Sequence, residues 1–332
     1  MEIKTQPLVS IGVPVYNGDK TIERALDALI AQDYSNLEII ISDNASTDAT
    51  QEICKKYVQK DSRVSYNRAE KNFSVAWNYN KVLELSTGDY FMWAADDDER
   101  NPSFVSACID KLMQCPDAVV CQAYTASYIE GQEERLCVVH TNSLEGKTDL
   151  IERYRETLAQ NPNMSIYGLF RSSTLRKTHL IEKILGADVA FIQELSIYGQ
   201  IVQVPRILFK YIGRKEWNTI DQDYFVNFFK KKKPWWYLPF VVLFFNHCKR
   251  VALSEIPFSK KIRLWIVLIE YEIKQTGLKI LIKLCQRLCP NKWKEKLGCA
   301  IYWRWMHPIN VNVCCDDLFL ERIIKPRLGW WN

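Results

Sequence analysis

The first 95 residues alternate between short apolar runs and amphipathic segments, and this alternation restricts the fold more than any other feature of the sequence. The apolar runs are typical of buried strands, and the segments between them place apolar residues on one helical face. This order predicts an α/β fold of Rossmann-like type, with a mostly parallel sheet, right-handed crossovers and helices on both faces. The predicted strands are residues 8–16, 37–42, 63–66 and 89–95, and one predicted helix runs from Val75 to Ser86.

Polar clusters follow three of these predicted strands. They are Tyr16-Asn17, Asp43-Asn44 and the triplet Asp96–Asp98, which comes directly after an apolar run. Because parallel α/β sheets bind ligands beyond the carboxyl ends of their strands, we expect the three clusters to share one edge. Adjacent carboxylates repel each other, and a divalent cation or the phosphates reached through one would relieve that repulsion. The pattern therefore predicts a ligand site at this edge.

The charge and the tryptophans are unevenly distributed along the chain. Residues 1–215 carry more acidic than basic side chains, whereas residues 216–332 are strongly basic and hold nine of the eleven tryptophans. We expect a catalytic domain over 1–215 and a helical, basic, Trp-rich region over 216–332. Helical spacing of apolar residues after residue 258, with the lysine run at 230–233, favours a helix lying on a membrane surface. The alternative is a helical region that packs on the catalytic core, and no motif for binding nucleic acid is present.

The cysteines and the apolar runs of the sequence favour a cytosolic location. Eleven scattered cysteines without paired zinc-type spacing favour reduced thiols in a cytosolic protein. The N-terminus lacks the pattern of a signal peptide, and no run of about 18 uncharged apolar residues is present. We expect a cytoplasmic protein that is peripheral at the inner face of the cell membrane.

Four motifs in order resemble those of one enzyme family. They are VSIGVPVYNGDKTIERALDALIAQDYSNLEIIISDNASTDAT, EKNFSVAWNYN, GDYFMWAADDDERNP and GADVAFIQELSIYGQIVQVP. From about Pro7 to Arg214 the sequence is similar to family 2 glycosyltransferases of the GT-A fold, of the non-processive bacterial type. The QxxRW motif of processive members is absent.

The resemblance implies a role for each matching residue. The nucleotide-binding set would be Pro14, Tyr16, Asn17, Asp43, Lys71, Asn72 and Asp96. Pro14 and Tyr16 would line the base pocket, and Asp43 would hydrogen-bond the base. Asp97 and Asp98 would hold Mg²⁺ or Mn²⁺ on the diphosphate, and Asp188 would be the general base.

Two alternatives remain open within these motifs. The family's acidic motif reads Asp-x-Asp-Asp-x-x-x-Pro, so alignment on Pro102 puts Ala95 at the first aspartate and Asp97-Asp98 at the pair. Spacing alone would select Asp96 and Asp98 instead. Glu194, six residues after Asp188, is a second candidate for the base.

The sequence therefore predicts an inverting, metal-dependent glycosyltransferase. The donor would be a UDP- or GDP-sugar, and the acceptor a glycan or a lipid-linked hydroxyl in polysaccharide biosynthesis. One alternative is a non-catalytic nucleotide-sugar-binding or scaffold protein on a decayed GT-A fold, because Ala95 replaces an aspartate. A nucleotidyltransferase is a weaker alternative, since the loop after the first strand lacks a glycine-rich phosphate-binding run.

Overall fold

The computed structural model describes residues 6–129, 138–140, 143–213, 238–288 and 311–312. The first part of the chain follows the predicted alternation of strands and helices. In chain order its elements are β1 (Val9–Val15), α1 (Ile22–Ile30), β2 (Leu37–Asp43), α2 (Thr50–Lys60), β3 (Val64–Arg68), α3 (Val75–Glu84) and β4 (Tyr90–Trp93).

The remaining elements add antiparallel strands and further helices. They are β5 (Glu99–Arg100), α4 (Phe104–Gln114), β6 (Ala118–Ile129), β7 (Val138–His140), α5 (Leu150–Gln160), β8 (Leu169–Arg171), α6 (Ser172–Leu175), α7 (Ala187–Tyr198), β9 (Gln200–Gly213), α8 (Pro239–Leu253), α9 (Phe258–Leu288) and β10 (Val311–Asn312). β6 and β7 form a hairpin, and α7 is followed by Gly199 and β9.

Among the described residues, the strands form one mixed sheet in the order β10-β7-β6-β8-β4-β1-β2-β3, with β9 pairing β5 and β6. β4, β1, β2 and β3 are mutually parallel, as predicted. β8 lies antiparallel between β4 and β6, and β9 runs parallel to β6. The sheet is therefore parallel in the half that carries the predicted site and mixed in the other half.

Apolar side chains cover the parallel half on both faces. Every residue of β1 is buried, which explains why its sequence is apolar apart from Ser10 and does not alternate. α1 buries Ile22, Ala25, Leu26 and Leu29, the face that its sequence spacing predicts. The core around β1 fixes the strands, and the strands fix the positions of the loops that follow them.

The described C-terminal helices pack against the rest of the chain. α8 contacts α7, and α9 contacts α5 and α8. Their shared core contains Tyr154, Leu158, Ile197, Val251, Leu264, Val267 and Leu268. The predicted helix after residue 258 is confirmed, whereas the lysine run at 230–233 and the tryptophans at 235–236 lie outside the described residues.

None of the helices that the structure describes is both long enough and apolar enough to cross a membrane.

Candidate active site

The loops that follow β1 and β2 are tied to each other at one edge of the sheet. The N–H of Asn44 donates to the carbonyl of Val15 at 2.9 Å. The N–H of Asn17 donates to Ser46 Oγ at 2.9 Å, and the Oδ1 of Asn17 accepts from the N–H of Thr47 at 2.8 Å. The predicted clusters Tyr16-Asn17 and Asp43-Asn44 therefore lie side by side.

Two residues of these loops adopt the left-handed backbone region. Asn17 has a φ of 53° and Ala45 has a φ of 64°. An alanine in this region costs about 1–2 kcal/mol, because its Cβ crowds the following carbonyl. Such strain persists where surrounding contacts over-determine the backbone, as they do here, and it is common at functional sites.

Asp43 is fully buried, and its carboxylate accepts three hydrogen bonds. Its Oδ1 accepts from the N–H of Ser46 at 2.7 Å, and its Oδ2 accepts from the hydroxyl of Tyr66 and from Arg68 Nη1, each at 2.6 Å. Since a carboxylate has about four lone-pair sites, one remains for a further donor. The structure thus places Asp43 at the strand end as predicted, held by Arg68 from the end of β3.

The asparagines of the edge link β2 to the loop before α3. Asn44 donates to Asn72 Oδ1 at 3.3 Å and accepts from the N–H of Phe73 at 3.0 Å. Lys71 is exposed; its ammonium lies 3.8 Å from Glu70 and 5.1 Å from the ring centroid of Phe73. Asn72 therefore belongs to the network at the edge, whereas Lys71 lies on its outer side.

The acidic loop after β4 reaches the same edge. An ideal Cβ built on Gly18 would lie 2.3 Å from Asp96 Oδ2, so the Asp96 carboxylate packs directly on the turn after β1. Burial raises the pKa of Cys54 to about 12, and the carboxylates of Asp43 and Asp96 add to the rise. The Asp96 carboxylate therefore lies against the turn that joins the loops after β1 and β2, and the predicted convergence of the three polar clusters is confirmed.

Basic side chains hold the backbone of the acidic loop. Arg24 of α1 donates to the carbonyl of Asp97 at 2.8 Å and pairs with Glu99 at 3.1 Å. Lys210 of β9 lies 3.3 Å from Glu99. These contacts fix the course of the loop, while the side chains of Asp96 and Asp97 are half-buried.

Asp98 differs from its two neighbours because its side chain is only 2% exposed. Its Oδ1 accepts from the N–H of Ile212 at 3.0 Å, and its buried Oδ2 has no hydrogen-bond partner among the described residues. Burial raises the pKa of Asp98 to about 8, with a further rise from the charge of Asp97. A cation or a proton at Oδ2 would remove this mismatch.

The residue types at this edge fit a divalent metal that is shared with phosphates. Within the described ranges, no three His, Cys, Asp or Glu side chains are grouped as a complete metal cage. Mg²⁺ needs no such cage, because proteins bind it through one or two carboxylates plus substrate phosphates. The Oδ2 of Asp98 and the adjacent carboxylates of Asp96 and Asp97 would supply that donor set, which contains both predicted pairs.

Asp188 lies in the first turn of α7 and is half-buried. Burial raises its pKa, and hydrogen bonding to the backbone N–H of Val189 partly offsets the rise. Phe191, three residues later on the same helical face, packs edge-on against the ring of Trp93 with centroids 5.5 Å apart. Since Trp93 ends β4, this contact ties the start of α7 to the strand that carries the acidic loop.

Glu194, the second candidate for the base, has a different environment. It is fully buried and forms an ion pair with Arg250 of α8. Its Oε1 lies 2.5 Å from Nδ1 of His179. Arg250 is 1% exposed and also contacts Glu182 at 3.1 Å. The two carboxylate oxygens of Glu194 are therefore engaged by His179 and Arg250.

Several residues of the site are not apparent from their motifs. Arg68 and Tyr66 lie in a strand with exposed positions, and only their proximity in space to Asp43 shows their role. Asn78 of α3 donates to the carbonyls of Val15 at 3.2 Å and Ser42 at 2.9 Å, which joins the ends of β1 and β2. In the sequence, Asn78 could have been noticed as an amide on an otherwise apolar helix face.

The fold is similar to that of Staphylococcus aureus TarS 1–349 in complex with UDP, with 15% identity and a TM-score of 0.58 over 89% of this chain and 80% of that chain. It is also similar to the mannosyltransferase PcManGT from Pyrobaculum calidifontis in complex with GDP-Man and Mn²⁺, with 13% identity and a TM-score of 0.51 over 92% of this chain and 82% of that chain. The α/β fold, with its acidic loop at the carboxyl edge, is therefore the GT-A fold.

The family model "Glycosyl transferase family 2" matches residues 10–182, more than half of the chain, so the chain belongs to that family. Among curated proteins, the glycosyltransferase GlyA of Streptococcus pneumoniae is 26% identical over 216 residues, which are 62% of this chain and 31% of that protein. The match thus spans about a third of the length of that relative.

Proposed function

We propose that this chain transfers a sugar from a nucleotide-diphosphate donor to an acceptor hydroxyl, with inversion at the anomeric carbon and with a divalent metal. The observation that carries the proposal is the convergence of Asp43, Asp96 and the Asp97-Asp98 pair on one edge of a family 2 fold. The UDP, UDP-GlcNAc and GDP-Man complexes of structural neighbours support a UDP- or GDP-sugar as the donor.

The donor-binding residues divide between the nucleotide and the diphosphate. Pro14, Tyr16 and Asp43 would contact the base, with Arg68 and Tyr66 holding the Asp43 carboxylate in place. Asp96 would bind the ribose beside Gly18. Asn17, Lys71 and Asn72 would complete the loops around the nucleotide.

Asp97 and Asp98 would hold Mg²⁺ or Mn²⁺, which when bound supplies a positive charge beside the leaving diphosphate. Asp188 would accept the proton of the acceptor hydroxyl as that oxygen attacks the anomeric carbon from the face opposite the diphosphate. Its raised pKa makes Asp188 a better proton acceptor than an exposed aspartate. The acceptor would be a glycan or a lipid-linked sugar at the cytoplasmic face of the membrane.

The test is a turnover assay with a panel of UDP- and GDP-sugars and Mn²⁺, in which release of the nucleoside diphosphate is measured. The proposal predicts that at least one donor releases its nucleotide, and that Asp188→Asn slows release about 100-fold or more without weakening donor binding. For the active donor, NMR of the product anomer tests the inversion. Donor binding without turnover, for every donor and acceptor tried, would instead support a non-catalytic nucleotide-sugar-binding protein.

A further inference from the structure

The helix α9 carries two apolar faces on opposite sides, and within the part of the chain that the structure describes only one of them is covered. Leu264, Val267 and Leu268 are at most 3% exposed and pack into the core shared with α5 and α8. The other face carries large apolar side chains whose exposed fractions are Phe258 67%, Ile262 42%, Ile266 49%, Ile269 50% and Ile273 67%. We call these five side chains the outer stripe.

The outer stripe is continuous along the helix. Its members are spaced by four, four, three and four residues, which keeps them within about a quarter-turn of one another at 3.6 residues per turn. From Phe258 to Ile273 the stripe is about 22 Å long at 1.5 Å per residue. No polar side chain interrupts it, so it is a single apolar surface facing away from the core.

Charged side chains flank the outer stripe. Arg263 and Lys274 project on one side, about 100° around the helix from the stripe, and Lys261 projects on the other. The acidic residues of the flanks are Glu270, which lies 3.1 Å from Arg155 of α5, and Glu272. Because Arg155 offsets Glu270, the surface around the stripe is net positive.

We propose that the outer stripe docks on an anionic lipid surface, with α9 lying parallel to the membrane. An apolar helix face bordered by Lys and Arg is the pattern of interfacial helices, in which apolar side chains enter the acyl boundary and basic ones meet lipid headgroups. The inference deepens the proposed function by naming the surface at which a lipid-linked acceptor would be met. The docking itself needs no turnover and is tested separately.

The area of the outer stripe favours lipid over a second copy of the chain. Five side chains that are about half exposed offer roughly 450 Å² per copy, below the ~600 Å² per partner of the smallest stable protein interfaces. An area of roughly 450 Å² matches that of the largest apolar patch on a typical monomer, and such patches are often functional. A bilayer needs no complementary shape, and its anionic headgroups match the basic flanks.

The experiment measures co-sedimentation of the full chain with phosphatidylcholine vesicles, with and without phosphatidylglycerol. The test variant is Ile266→Ser/Ile269→Ser. The matched control is Val58→Ser/Met113→Ser, because these apolar side chains are 38% and 53% exposed on α2 and α4. All four positions are exposed, so circular dichroism and thermal unfolding should show each variant folded.

We expect wild type and control to bind the anionic vesicles. The test variant should bind them at least about tenfold more weakly. Arg263→Gln/Lys274→Gln should weaken binding to anionic vesicles by roughly 30-fold, at about 1 kcal/mol for each charge. A higher salt concentration should also weaken the binding of wild type. Binding of the test variant at the wild-type level would overturn the proposal. The proposal would also be overturned if wild type were a dimer that binds no vesicles and Ile266→Ser/Ile269→Ser made it monomeric. The outer stripe would then join two copies of the chain.

Calorimetric titration of UDP and GDP without vesicles separates the two proposals. If vesicle binding fails while nucleotide binding is intact, only the docking inference is lost. If nucleotide binding fails while vesicle binding persists, the proposed function is lost and the docking surface stands.

Discussion

Replacing Asp98 by asparagine tests the electrostatic account of the acidic loop. The pKa of Asp98 is about 8, against 3.8 for an unperturbed aspartate, so the folded chain keeps a proton that the unfolded chain releases. The stability that comes from this group is complete below pH 3.8 and is lost as the pH rises toward 8. At about 1.4 kcal/mol per pH unit, the metal-free wild type should lose about 3 kcal/mol between pH 5 and pH 7 through Asp98 alone.

Asp98→Asn removes this titration and keeps an oxygen to accept from the N–H of Ile212. Its amide nitrogen would occupy the position of the unpartnered Oδ2, at a cost of about 1–3 kcal/mol that does not depend on pH. The stability of the variant relative to wild type should therefore rise by about 3 kcal/mol from pH 5 to pH 7.

The assay is urea unfolding at pH 5 and pH 7 in EDTA, with Asp110→Asn on the exposed face of α4 as the matched control. The control should show no such rise. A stability difference between Asp98→Asn and wild type that is equal at both pH values would refute the argument from burial, and with it the reason for a cation at Oδ2.

Three further variants test other parts of the structure. Arg250→Met leaves the Glu194 carboxylate buried without its cationic partner, so we expect a loss of about 3–5 kcal/mol in urea unfolding, and Arg250→Met/Glu194→Leu should recover much of it. Arg68→Ala removes one of three hydrogen-bond donors to Asp43, so the Kd for the nucleotide should rise about tenfold in calorimetry while the fold is retained. An unchanged Kd would show that Asp43, as Arg68 holds it, does not contribute to nucleotide binding. Asp188→Asn should lower kcat about 100-fold with the Kd of the donor unchanged, and a selective loss of donor affinity would contradict its role as the base.

The parallel half of the sheet could be predicted because its information is local. β1 and β4 are almost entirely apolar, β2 has an apolar centre at Ile39–Ile41, and α1 buries the side chains that its periodicity selects. The antiparallel insertion of β8 beside β4 and the pairing of β5 with β9 could not be predicted in this way. Glu99 meets Lys210 across more than a hundred residues of chain, and no local pattern encodes such a pairing.

The candidate site shows the same division. The positions of Asp43 and Asp96 followed from where strands end, which a sequence pattern can locate. The environments of individual carboxylates did not follow. Asp98 is buried while its two neighbours are half-buried, and Glu194 is paired with Arg250 from a helix 56 residues away, because tertiary packing decides both.

The most direct test of the central claim is calorimetric titration of UDP and GDP into wild type and Asp98→Ala, first with Mn²⁺ and then with EDTA. The account predicts that one nucleotide binds wild type in the presence of Mn²⁺, that EDTA abolishes or strongly weakens this binding, and that Asp98→Ala loses it while remaining folded. Absence of binding by folded wild type with either nucleotide, or binding that depends on neither Mn²⁺ nor Asp98, would contradict the account.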